Sequence, residues 1–107
     1  NVVRNLKKPG TAEFDIVAFD DDRILVVEVK NKLVQSMVDD FVGRRLPKFR
    51  KIFPEYADRR LIGGMGSLVV KDEVGAYAER AGLYVLTQKG DGGATLINRK
   101  HFRPKVF

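Results

Sequence analysis

Three residues of this chain have the types and spacing to do chemistry together: Asp15, Glu28 and Lys30, the last two in the run Glu28-Val29-Lys30. In a strand, side chains repeat every two residues, so Glu28 and Lys30 point the same way. If 13–19 and 24–30 are the arms of one hairpin, closing it at Asp21-Asp22 or across 20–23 pairs residues whose numbers sum to 43. Asp15 then stands opposite Glu28, and Glu13 opposite Lys30. Like charges set opposite each other in a sheet are unfavourable, and burying them costs more. Either one carboxyl keeps its proton or a cation sits between them. A hard divalent ion such as Mg²⁺ suits the second solution, because it takes oxygen ligands and needs only one or two protein carboxylates. A water held by such an ion has a lowered pKa and becomes a nucleophile, and a neighbouring lysine orients it or stabilises developing negative charge. This combination suits phosphodiester hydrolysis.

The elements that must position these groups can be read from periodicity. Val2, Val3 and Leu6 mark the end of a first strand, and Pro9-Gly10 a turn. The arms 13–19 and 24–30 are rich in β-branched and aromatic residues, and the pairing puts apolar side chains on both faces near the turn. Such a pair belongs at the centre of a sheet, with helices above and below. From Val34 the spacing changes: Met37, Val38, Phe41, Val42, Leu46, Phe49, Ile52 and Phe53 recur as one face of an amphipathic helix. Ser36 is its expected N-cap, Pro47 is expected to kink or split it, and Pro54 to end it. A strand over 60–70 follows, loosened by Gly63, Gly64 and Gly66, whose pattern fits close packing or a bulge and not a dinucleotide fingerprint. Asp72 is the expected cap of a short helix with Val74, Tyr77, Ala78 and Ala81 on one face, stopped by Gly82. Strands over 83–87 and 94–98 flank a glycine turn. The expected architecture is α/β, a mixed central sheet flanked by helices.

Asp15 followed by Glu28-Val29-Lys30, on a hairpin leading into a helix, resembles the Asp…Glu-x-Lys signature of the PD-(D/E)XK nuclease superfamily. The order of elements over roughly residues 12–86 is similar to that family's core. More narrowly, it resembles a prokaryotic branch in which such a domain follows a long coiled coil. The resemblance implies a restriction-endonuclease-like fold over 1–107, excised from a longer chain, and a Mg²⁺- or Mn²⁺-dependent nuclease acting on DNA. It implies metal ligands at Asp15, Glu28 and the Val29 carbonyl, with Lys30 as catalytic lysine. It also makes Gln35 a polar candidate at the helix start, and Glu13 either an auxiliary ligand or the partner of Lys30. Many members carry a further acidic residue on a helix before the first strand, which has no counterpart after Asn1, and Phe14 stands where the proline of the family's name would be.

The rest of the sequence sets limits. Val, Leu, Ile and Phe make up 35 of 107 residues, which argues against disorder. The absence of cysteine excludes disulfides, a thiolate nucleophile and a cysteine-rich zinc site. His101, the only histidine, stands in a basic tail with no metal-ligand neighbour, so no histidine-based triad is expected, and Asp20-Asp21-Asp22 lacks the glycine and distal glutamate of a calcium loop. A net charge of +6 favours polyanions. Arg44, Arg45, Lys48 and Lys51 read as a basic helix face for DNA phosphates, positioning without reading sequence. No apolar run is long enough to span a bilayer, so a cytoplasmic protein without membrane contact is expected, with homo-oligomerisation through an upstream segment a further option. The alternative is a catalytically inactive nucleic-acid-binding or interaction domain of the same fold.

Overall fold

The structure is a computed structural model describing residues 1–8 and 12–107; the Pro9-Gly10 turn lies outside the described residues. Strand β1 (Val2–Lys8) pairs antiparallel with β2 (Ala12–Phe19), and β2 with β3 (Arg23–Lys32). The β2–β3 turn is organised by Asp20. Its Oδ1 accepts the amides of Asp22 and Arg23 at 2.9 and 2.7 Å, and the Arg23 guanidinium folds back onto Oδ2 at 3.0 Å. The Asp22 amide first, then Arg23, holds the Asp20 carboxyl below its ordinary range. The register is the expected one, with Phe19 opposite Ile24, Ala18 opposite Leu25, Val17 opposite Val26 and Ile16 opposite Val27.

The ladder then stops, and this corrects the sequence reading. Asp15 does not pair with Glu28, nor Glu13 with Lys30, nor Phe14 with Val29. Phe14 and Val17, three positions apart, are both fully buried in the same core, so strand alternation breaks between them. Across from Asp15, Asn5 of β1 takes the left-handed conformation (φ 53°), which asparagine tolerates better than most residues. The strands open at the end of the hairpin that carries the charges.

The helical connection runs as α1 (Gln35–Asp40), a π-helical stretch (Phe41–Arg45) and α2 (Leu46–Ile52), followed by a 3₁₀ turn at Pro54–Tyr56. Ser36 lies inside α1 and does not cap it; Val34 holds the cap position without a side-chain bond. The interruption expected at Pro47 takes the form of the π-helical stretch, after which Pro47 stands in the first turn of α2. The proline has no amide to donate, and the turn before it widens so that the Leu46 amide reaches back to the Phe41 carbonyl. Val38, Phe41, Leu46 and Phe49 are buried, and the five-residue step between Phe41 and Leu46 is the mark of that widened turn.

Strand β4 (Arg60–Val69) lies parallel to β3, β5 (Tyr84–Gln88) parallel to β4, and β6 (Ala94–Leu96) antiparallel to β5, giving a six-stranded mixed sheet in the order β1-β2-β3-β4-β5-β6. Helix α3 (Asp72–Arg80) connects β4 to β5; Asp72 is its first helical residue and not its cap, and Gly82 (φ 93°) stops it as expected. All the helices pack on one face. Phe41, Leu46, Phe49 and Ala78 join Val17, Ile24, Val26, Leu61, Met65 and Val85 in a single core. Gly63 lets them approach, because a Cβ there would lie 2.8 Å from both Leu46 and Leu83. The expected helices on both sides are therefore corrected. The opposite face carries Leu25, Val27, Ile62 and Leu86, with Val29 and Leu68 53% and 58% exposed, and Phe102 lies edge-on against Tyr84. No helix among the described residues is long and apolar enough to cross a membrane.

Candidate metal and nucleic-acid site

Glu28 sits in the middle of β3 on the helix-covered face and is only 6% exposed. A carboxylate so placed needs a cation. Arg45 supplies it: Nε donates to Glu28 Oε1 at 2.5 Å, Nη2 donates to the Glu13 carbonyl at 2.5 Å, and the guanidinium lies 4.4 Å over the Phe14 ring. The second carboxylate oxygen, Oε2, is 3.7 Å from Lys30 Nζ, an ion pair longer than a hydrogen bond. The partner of Lys30 is thus Glu28 and not Glu13, whose residue pairs with Lys7 of β1. Ser67, 5% exposed and beside Lys30 on β4, donates its hydroxyl to the Val69 carbonyl at 2.9 Å.

Asp15 reaches the same place by a different route from the expected pairing. Where the strands open, its Oδ2 accepts the Val29 amide at 2.9 Å, so the carboxylate replaces a main-chain partner and lies against the peptide joining Glu28 to Val29. Asp15, Glu28, Val29 and Lys30 are brought together; Glu13 contributes its main-chain oxygen to Arg45, while its side chain is exposed. Gln35 is exposed at the start of α1, and the Tyr77 hydroxyl donates to Asp39. The Asp39 carboxylate, the largest influence, raises the Tyr77 pKa.

The basic helix face also differs from expectation. Arg44 is exposed and forks onto Asp40 at 2.7 and 2.9 Å, which raises its own pKa and lowers that of Asp40. Lys48 is half-buried and Lys51 exposed. Arg45, expected among them, turns inward with its side chain 15% exposed, so it is not part of an outward phosphate-binding surface. Its spacing held the signal: Phe41, Arg45 and Phe49 fall four apart, which puts an arginine within the apolar stripe. The role of Phe14 as the platform under that arginine was not legible, because alternation assigns it to the other face.

Whether these residues suit a divalent ion can be judged from the donors. Asp15, Glu28 and the Val29 carbonyl, on adjacent strands, offer oxygens of the hard kind such an ion takes, and Glu28 Oε2 is the more loosely held oxygen of its carboxylate. The set is sparse, since no group of three or more His, Cys, Asp or Glu converges among the described residues. Among divalent ions, Mg²⁺ makes the least demand on so few protein ligands, because it usually keeps several waters.

Residues 2–94 match the family described as Domain of unknown function (DUF8196). The chain belongs to that family. No curated protein and no solved structure matches it. The DUF8196 match covers every strand except the end of β6, and all the candidate site residues.

Proposed function

We propose that this DUF8196 chain is a restriction-endonuclease-like nuclease that hydrolyses phosphodiester bonds in DNA with Mg²⁺ or Mn²⁺. The observation that carries the reading is the convergence at the open end of the hairpin: Asp15 Oδ2 lies 2.9 Å from the Val29 amide, next to a buried Glu28 whose carboxylate is 3.7 Å from the Lys30 ammonium. Asp15, Glu28 and the Val29 carbonyl supply the oxygens that would hold the ion. When bound, it would polarise a phosphoryl oxygen and lower the pKa of a water. Lys30 orients the attacking water and stabilises the negative charge that develops on phosphorus oxygens. Arg44, Lys48 and Lys51 hold the DNA backbone without specifying its sequence.

The test is cleavage of plasmid or oligonucleotide DNA in Mg²⁺ and Mn²⁺. Cleavage abolished in Lys30→Ala, with its melting temperature near that of the parent, supports the reading; no cleavage with either metal overturns it. One observation favours a second reading, a non-catalytic DNA-binding domain: Glu28 already has an arginine on it. That reading expects salt-sensitive DNA binding with no cleavage.

A further inference from the structure

We infer that Arg45 is the resident counterion of this site, and that a divalent cation engaging Glu28 loosens the guanidinium's hold on the same carboxylate. The inference rests on the metal-dependent reading above and adds a regulation of the same site.

The geometry is that of a built contact. Arg45 is held on three sides, by Glu28 Oε1, the Glu13 carbonyl and the face of Phe14, a ring that is itself fully buried. The π-helical stretch sets it there, between the buried Phe41 and Leu46. Charge-assisted bonds are the strong ones, and the 3.7 Å approach of Lys30 leaves Arg45 as the principal charge on Glu28. Three further units of positive charge around one nearly dry carboxylate, Arg45 together with a divalent ion, repel one another in a region that screens poorly. Occupancy by the ion and the Arg45 contact therefore oppose each other. Because coupling is reciprocal, the arginine weakens the ion as much as the ion weakens the arginine. The fold keeps its buried carboxylate neutralised without metal. A guanidinium released from Glu28 is suited to a DNA phosphate, which it can grip with two parallel bonds.

Mg²⁺ binding measured by calorimetry on the parent chain, Arg45→Met and Arg45→Lys tests this. Arg45→Met is expected to bind Mg²⁺ about tenfold more tightly than the parent, within the range usual for coupled sites, and Arg45→Lys to fall between them. On the unmodified protein, the Arg45 Nε–H resonance is expected to shift and broaden as Mg²⁺ saturates the site, a readout that needs no variant to fold. Equal or weaker binding by Arg45→Met, or an unmoved Nε–H resonance in a parent chain that does bind Mg²⁺, overturns the inference and leaves the metal-dependent reading standing. If no chain binds Mg²⁺ or, in a parallel titration, Mn²⁺, both fall.

Discussion

Asp15 does two things that one substitution separates. Its carboxylate accepts the Val29 amide where the hairpin opens, and it carries one of the two negative charges proposed to hold the ion. Asparagine keeps an oxygen for the amide and loses the charge. Asp15→Asn is therefore expected to melt within roughly 2 °C of the parent in chelator, while the rise in melting temperature produced by Mg²⁺ disappears; a scanning-fluorimetry titration reads both. The residues of this site were legible in type and spacing, but their contacts were not. Side-chain alternation put Asp15 straight across from Glu28, and nothing in the sequence signals that Asn5 and Phe14 break that alternation. Charge counting gave Glu28 two remedies, a proton or a metal ion. It omitted an arginine lying within the apolar stripe of a helix.

At the scale of elements, the contact between the sheet and the helices depends on a missing side chain. A methyl at Gly63 would meet Leu46 and Leu83 at 2.8 Å and Phe41 at 3.1 Å, all three fully buried, so Gly63→Ala is expected to lower stability by about 1–3 kcal/mol. Gly43, in the exposed part of the π-helical stretch, has nothing within 4 Å of such a methyl, and Gly43→Ala should gain about 0.5–1 kcal/mol from helix propensity. Urea denaturation of the two variants checks the opposite signs. The segment after β6 is tied to α3 by Glu79, which accepts both the Arg99 amide and its guanidinium at 2.7 Å. The Arg99 amide first, and then its side chain, depresses the Glu79 pKa. A carboxyl depressed in the folded state binds its proton more readily once unfolded. Its contribution is complete above the ordinary glutamate range and disappears as pH falls through the depressed value. The protection factor of the Arg99 amide, its exchange rate relative to the intrinsic rate at each pH, is expected to fall below the ordinary glutamate range, and in Glu79→Gln at neutral pH. The elements themselves were well marked by periodicity and by Gly82. Their caps were not, because Ser36 and Asp72 are residue types that sit as comfortably in a first turn as before it.

For the molecule as a whole, the mixed sheet was readable, but the layering around it was not. Leu25 and Val27 have the same apolar character whether a helix or neighbouring strands shelter them, so a strand pair apolar on both faces did not reveal that every helix packs on one side. The strand order has a kinetic consequence. The β2–β3 hairpin closes over a turn of three residues, Asp20 to Asp22, whereas β3 finds β4, and β4 finds β5, only after a helical excursion. Joining distant segments costs loop entropy before any contact repays it. Refolding should therefore begin at the hairpin: Asp20→Ala, which strips the turn of its organising carboxylate, is expected to slow the folding limb in stopped-flow experiments. A destabilising change at the β4–β5 seam, such as Val85→Ala, should instead act chiefly by hastening unfolding. The central parallel strands would be the last part of this chain to assemble and the first whose loss sets its lifetime.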